Sequence, residues 1–408
     1  MAPGLGETLP LWSVLPFTGL LLCIAVVPLL APTWWEKHYG QVSLAFGIPV
    51  ALYFLFADRP ELARTLHDYI AFIILLGTLF VIAGGILVRG TFPATPSVNT
   101  LFLGFGAAIA NVIGTTGASM LLVRPLLRAN AGRSSRAHIV VFFIFVVSNV
   151  GGALTPLGDP PLFLGFLRGV PFFWTLHLWP QWLLTLALLL ATFCLIDRAR
   201  SRREAQPPGP QLRFTLLGTH NFAFLSGVVG AMFLSSPLRE SAMASMGVLS
   251  YLLTRQEIHV ENGFTFRPIT EVAVLFIGIF MTMMPALLIL EARSAQAGLH
   301  EPWQFFWITG TLSSFLDNAP TYLTFLAAAR GLSLPAEVGG VPTTFLAAVS
   351  LGAVFMGANS YIGNGPNFMV KSIAEENGVK MPSFFGYMAY SGAVLIPVFV
   401  LVTLIFFR

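Results

Sequence analysis

Charge is what this chain has least of. Charged side chains make up 10% of its 408 residues and hydrophobic ones 56%, whereas soluble domains carry roughly 25% charge. That balance argues against a soluble enzyme with a large core and for an all-α polytopic membrane protein whose first partner is the lipid bilayer. Cysteine is nearly missing too. Cys23 and Cys194 both fall in apolar runs, which argues against a disulfide framework and leaves zinc no Cys/His cluster. The chain also lacks a phosphate-cradling Gly-rich loop with Lys-Ser/Thr, a His-Glu-x-x-His pair and a Ser-His-Asp set. ATP-driven pumping and intramembrane proteolysis lose their usual machinery, and no enzyme activity is expected. The net charge of +4 comes mostly from arginines between apolar segments. It reads as topology, not as a nucleic-acid footprint.

What is present is apolar length. A spanning helix needs about 20 mostly apolar residues. Candidates are 12–31, 43–58, 68–88, 172–196, 215–235, 240–254, 269–290 and 384–407, of which 43–58, 215–235 and 240–254 are short. The stretch Val14 to Leu30 reads as a spanning helix and not a signal peptide, since no basic region precedes it and no small-residue cleavage site follows. Four further segments are long, apolar and interrupted: 99–127, 138–169, 303–330 and 342–374.

The interruptions carry the information. Residues 148–161 read Ser-Asn-Val-Gly-Gly-Ala-Leu-Thr-Pro-Leu-Gly-Asp-Pro-Pro, between runs apolar enough to cross a bilayer. Proline lacks the backbone donor and clashes with the preceding turn, and glycine loosens what remains. Unwound backbone at membrane depth survives only where protein or a water-filled cavity satisfies it. The segment therefore reads as a transporter's broken helix, with a substrate or ion site at the break.

The interrupted segments form two pairs, one in each half. Asn111-Val-Ile-Gly-Thr-Thr-Gly-Ala-Ser119 precedes Ser148-Asn149, and Asp317-Asn318-Ala-Pro-Thr-Tyr322 precedes Asn359-Ser-Tyr-Ile-Gly-Asn-Gly-Pro-Asn367. Asn111 and Asn149 stand 38 residues apart, Asp317 and Asn359 42. Gly158-Asp-Pro160 is loosely matched by Gly365-Pro366. Corresponding Gly/Pro interruptions in two halves point to a transporter site. The arginine-rich loops with Arg128, Arg133 and Arg136 and with Arg198, Arg200, Arg202 and Arg203 fall on one side, which the positive-inside rule makes cytoplasmic. With 99–127 as a re-entrant hairpin the N-terminus lies outside, and the second half starts from the opposite side. The expected organisation is a first inverted repeat over 1–196, a cytoplasmic linker over 197–214 and a second repeat over 215–408. Each repeat holds one hairpin (99–127, 303–330) and one broken helix (138–169, 342–374) of a multi-pass protein of the cell inner (plasma) membrane.

Ser148-Asn149-Val-Gly-Gly-Ala-x-Thr155-x-x-Gly158-Asp159-Pro160-Pro161 resembles the signature of the ion transporter superfamily. That group includes citrate and dicarboxylate transporters, arsenite permeases and D-type sodium/proton antiporters. Asp317-Asn318-x-Pro320 resembles the second-repeat hairpin of its antiporter and arsenite branches. The resemblance implies a scaffold subdomain plus a mobile transport subdomain, an elevator motion and a homodimer. Dicarboxylate carriers show Ser-Asn-Thr in both repeats. Here Ser148-Asn149-Val150 departs from that pattern.

Asp159 and Asp317 are the acids expected near the midplane, where a carboxylate costs roughly 2.5–3.5 kcal/mol on insertion scales. Sodium, a hard cation, takes oxygen ligands. The two aspartates, the amides of Asn111, Asn149, Asn318, Asn359 and Asn364, and the hydroxyls of Thr115, Thr116, Ser148 and Thr155 would supply them. The duller reading of each acid is a helix cap, since Asp-Pro-Pro is a good helix start by itself. Glu271 reads as an acidic first-turn residue near an interface, and His177 and His220 read as interfacial. Lys371, after the second break, either neutralises an anion, stands in for a bound cation or snorkels to a membrane surface, and it reads as snorkelling.

The resulting function is a secondary active transporter. Sodium/proton antiport comes first, because two acids in one site let sodium and protons compete. A sodium- or proton-coupled citrate or dicarboxylate symporter is the alternative, with half-helix N-termini facing a small anionic substrate. Two bare aspartates beside a tricarboxylate require compensating cations, a need that a metal–citrate complex meets. Arsenite efflux is the third reading. Sodium ions and protons, as transported or coupling ions, take the place of any cofactor.

Overall fold

The computed structural model describes residues 5–202, 213–294, 298–332 and 334–408. In chain order its elements are α1 (Leu5–Thr8), α2 (Leu15–Leu30), α3 (Pro32–Ala57), α4 (Arg59–Gly84), β1 (Leu87–Thr91), α5 (Pro96–Ala129), α6 (Ala137–Val146), α7 (Pro160–Leu167), α8 (Trp179–Ser201) and β2 (Arg213–Leu217). There follow α9 (Asn221–Ala231), α10 (Leu238–Leu253), α11 (Gln256–Glu261), α12 (Arg267–Arg293), α13 (Pro302–Ser313), α14 (Asn318–Arg330), α15 (Thr343–Met356), α16 (Gly365–Glu376) and α17 (Phe384–Phe406). Eight segments among the described residues are long and apolar enough to cross a membrane. Proline opens many of these helices, as at Pro60, Pro96, Pro160, Pro180, Pro302 and Pro366. A first-turn residue has no intrahelical acceptor for its N–H, so proline loses nothing there.

Apolar surface sorts the helices into an inside and an outside. α6 is apolar around its whole circumference, and His138 through Val146 are all buried. α15 is likewise buried from Phe345 through Met356. A helix apolar on every side belongs in an interior. By contrast, only 22% of the most apolar window is buried in α3 and in the segment containing α8, against 89% for Ala137–Leu154. Phe56, Leu195 and Phe385 stand exposed on this outer layer, as lipid-facing side chains do.

α5 does not run straight. At 34 residues it would be about 50 Å long if straight. Gly114 interrupts it with φ 77° and ψ 155°, backbone angles nearly closed to residues with a Cβ. The amides of Asn99 and Asn130, near its two ends, exchange hydrogen bonds of 3.0 Å in both directions. The element therefore doubles back at Gly114. α13 and α14 also fold against each other, with Phe305 edge-on to Phe325.

Three sequence expectations change. The run 68–88 belongs to a span-length helix, α4, that begins earlier and ends sooner, whereas 215–235 holds no helix of spanning length. α4 stops at Gly84, and Leu87–Thr91 pairs antiparallel with Arg213–Leu217, Leu87 opposite Leu217. A two-stranded ribbon thus interrupts an otherwise helical chain. The 11 residues of α9 reach only about 16 Å, short of the roughly 30 Å hydrocarbon layer. The expected linker 197–214 is shorter as well. Asp197 to Ser201 continue α8 and Arg213 opens β2. Residues 203–212 of that linker lie outside the described residues.

Candidate functional site: a carboxylate at the junction of two helix breaks

The two breaks are built alike. α6 gives way to one 3-10 turn (Val150–Leu154) and an extended Thr155, and the chain re-enters a helix through Asp159, the N-cap of α7. α15 gives way to a 3-10 turn (Gly357–Asn359) and an extended Ser360, and re-enters through Asn364, the N-cap of α16. Asp159 has φ −142° and ψ 140°, Asn364 φ −153° and ψ 139°. The offset between them is 205 residues. In each break two glycines pass so closely that side chains are excluded. A Cβ on Gly152 would lie 2.7 Å from the Gly158 carbonyl oxygen, and one on Gly363 2.6 Å from that of Gly357.

Each break is strapped to the preceding turn in the same way. The Thr155 hydroxyl donates to the carbonyl of Asn111 at 2.5 Å, and the Ser360 hydroxyl donates to that of Ser314. This sets Asn111 against Ser314 and, four residues on, Thr115 against Asn318. The register differs from the one expected of the sequence. Gly158 corresponds to Gly363 rather than Gly365, and Asp159 corresponds to an amide, Asn364. The shared glycine and proline misled because the structural equivalence lies in backbone angles and straps.

Asp159 is the focus of the junction and is 1% exposed. Its carboxylate caps nothing in its own helix. Oδ1 accepts from the Thr115 hydroxyl at 2.8 Å and from the Asn364 amide at 3.2 Å, and Oδ2 accepts from the Asn318 amide at 2.6 Å. The donors come from α5, the second break and α14. The backbone N–H of Thr115 also donates to the Gly158 carbonyl at 2.8 Å, fixing the turn beside the acid. Asp317 behaves oppositely. It is half-buried, and its Oδ1 accepts from the Ala319 N–H at 3.0 Å as the cap of α14.

The amides continue outwards from Asp159. Asn364 also donates to Asn149 Oδ1 at 3.2 Å and to the Ser148 carbonyl at 3.1 Å. Asn149 donates to Asn367 Oδ1 at 2.7 Å, and Asn367 donates to the carbonyls of Gly357 and Ser360. The Ser148 hydroxyl pairs with that of Ser119 at 2.8 Å. One chain of side chains thus ties the first break to the second.

Of the residues expected at the site, Thr115, Ser148, Asn149, Asp159, Asn318 and Asn364 meet in this web. Asn111 and Thr155 hold the strap beside it, with Asn111 Oδ1 accepting from the Leu154 N–H at 2.8 Å. Asn359 lies on the other strap, donating to the Ser314 hydroxyl at 2.9 Å. Thr116 is half-buried and makes no side-chain hydrogen bond among the described residues. Asn367, Ser119, Ser314 and Ser360 were missed as site residues, although Asn367 and Ser360 stand inside the second Gly/Pro run. Asn318 Oδ1 and Asn359 Oδ1 are buried with no hydrogen-bond partner. Amide and carboxylate oxygens are the atom types that hard cations take.

A second buried polar cluster escaped sequence reasoning. Asp197, 0% exposed, binds Arg133 at 2.6 Å, His138 Nε2 at 2.8 Å and Asn99 at 3.1 Å. It locks the base of α5 to α6 and α8.

A family model described as "Putative citrate transport" matches residues 6–407. No curated protein matches the chain.

Proposed function

The chain belongs to that citrate-transport family of membrane transporters, and on that footing we propose that it is a secondary active transporter of a citrate-type polycarboxylate carried together with cations. One observation carries this reading. A fully buried carboxylate, Asp159, is held by a hydroxyl and two amides, with no cationic side chain among its hydrogen-bond partners. A charge in that setting calls for a counter-ion. A proton or sodium ion at Asp159 supplies it and couples substrate movement to an ion gradient. Substrate carboxylates then meet the N-terminal ends of α7 and α16, whose dipoles favour anions. Asp317 and the open oxygens of Asn318 and Asn359 furnish further cation ligands.

The same reading takes the two halves as inverted repeats, with α5 and α13–α14 as re-entrant hairpins. Arg136, before α6, donates to the carbonyl of Gly378, after α16, at 3.0 Å. Arg330, ending α14, donates to the carbonyl of Arg168, after α7, at 2.6 Å. The two broken segments therefore run antiparallel, and the positive-inside rule assigns the Arg136 end to the cytoplasm. α5–α8 with α13–α17 form the proposed moving unit and α1–α4 with α9–α12 the scaffold, working as an elevator in a homodimer of the inner membrane.

Sodium/proton antiport is the second reading, favoured by the absence of a fixed cation among the partners of Asp159 and by the adjacency of Asp317 to Asn318. Reconstituted vesicles separate the two. Labelled citrate accumulating under a sodium or proton gradient supports the first. Sodium-driven proton release without citrate supports the second, and arsenite movement alone sinks both.

A further inference from the structure

A cavity of about 240 Å³ lies beside the second break. Tyr361, Phe368, Lys371, Glu375, Met381 and Ser383 are among its lining residues. That is just under the roughly 300 Å³ at which pockets for drug-sized ligands begin, so it suits a small organic acid. It belongs to the end of the molecule where Arg136 binds Gly378.

Lys371 is the cation in this cavity, and it does not simply extend to a surface. Its side chain is 21% exposed. The ammonium rests 5.6 Å from the Tyr361 ring centroid and 5.7 Å from that of Phe368. One of its three donors reaches Glu375 Oε2 at 2.8 Å, and no other acceptor holds it among the described residues. Glu375 is 44% exposed. The pair has lysine N-terminal to glutamate, the weaker order for an i,i+4 pair on a helix. An arriving carboxylate therefore displaces Glu375 easily, while the two rings keep the ammonium in position.

The wall of the cavity reaches the transport site. Tyr361 and Ile362 belong to the break itself, and Asn364, two residues beyond, donates to Asp159. The Tyr361 hydroxyl donates to the Pro382 carbonyl at 3.0 Å, joining the break to the loop before α17.

We propose that this cavity is a peripheral station for a carboxylate-bearing anion on the Arg136 side of the second break, with Lys371 as its ligand and Glu375 as the carboxylate displaced. The station rests on the reading of the protein as a polycarboxylate transporter, and it adds a binding step outside the Asp159 junction.

The test uses the full chain in inside-out vesicles, with labelled citrate presented to the cytoplasmic face. Lys371→Gln raises KM roughly fivefold with kcat retained, as loss of one partly exposed ionic contact to the substrate does. Glu375→Gln lowers KM, because the ammonium is freed, and Lys371→Arg keeps it near wild type. Size-exclusion profiles matching wild type establish folding. If citrate is carried while Lys371→Gln and Glu375→Gln both keep the wild-type KM, or shift it in the same direction, the station is wrong and the transport reading stands. If the wild-type chain neither binds nor carries citrate, the transport reading fails and takes the station with it.

Discussion

Replacing Asp159 tests the junction most directly, because two substitutions there have opposite structural consequences. Asp159→Ala removes the acceptor for Thr115 at 2.8 Å, Asn318 at 2.6 Å and Asn364 at 3.2 Å. Asn364 keeps the Ser148 carbonyl and Asn149 Oδ1, so two donors are orphaned in a buried site. Each costs about 1–3 kcal/mol, giving about 2–6 kcal/mol before any relief from removing a buried charge. Asp159→Asn is repairable. The new amide oxygen still accepts from Thr115, and its NH2 faces Asn318, whose Oδ1 has no partner. Turning the Asn318 amide over restores that bond, so the expected cost is within about 1 kcal/mol. Both variants lose coupled transport, since neither can carry a counter-ion. Thermal denaturation of purified protein, with citrate uptake in vesicles, separates the cases. The reasoning fails if Asp159→Asn destabilises as much as Asp159→Ala, or if it transports at the wild-type rate.

Gly114→Ala puts a Cβ on a backbone at φ 77° and ψ 155°, 3.2 Å from the Leu157 carbonyl oxygen. A loss of about 1–3 kcal/mol is expected, measured as a lower melting temperature with transport reduced in parallel. Asp68 in α4 pairs at 3.0 Å with Arg168 after α7, their side chains 8% and 15% exposed. Either single change to alanine should cost about 3 kcal/mol, and the double change less than the sum, because no lone buried charge remains. Strict additivity in a double-mutant cycle would show that the pair does not couple α4 to the end of α7.

Much of the architecture was legible in the chain. The four interrupted segments expected at 99–127, 138–169, 303–330 and 342–374 lie within a few residues of α5, α6–α7, α13–α14 and α15–α16. Glycine and proline act on their own backbone, so their effect is local and readable. The short runs 215–235 and 240–254 were less legible. Composition cannot tell an 11-residue helix behind a strand from a short span, since strand pairing with Leu87–Thr91 is a distant event. Asp197 read as the start of a charged linker, yet it is buried against Arg133, His138 and Asn99. Those partners lie 59 to 98 residues away for His138 and Asn99, beyond any local pattern.

The amino-acid sequence alone decided that this protein lives in a bilayer, where its helices break and which oxygen-bearing residues stand at the breaks. Each follows from hydropathy or from the restricted backbone of glycine and proline. Only the tertiary structure decided that Asp317 serves as a helix cap while Asp159 turns to donors from three other elements, and that Asp159 is answered by Asn364 in the other half. A cap and a site carboxylate look the same in one dimension. Which one a residue becomes depends on the donors that folding brings within 3 Å of it.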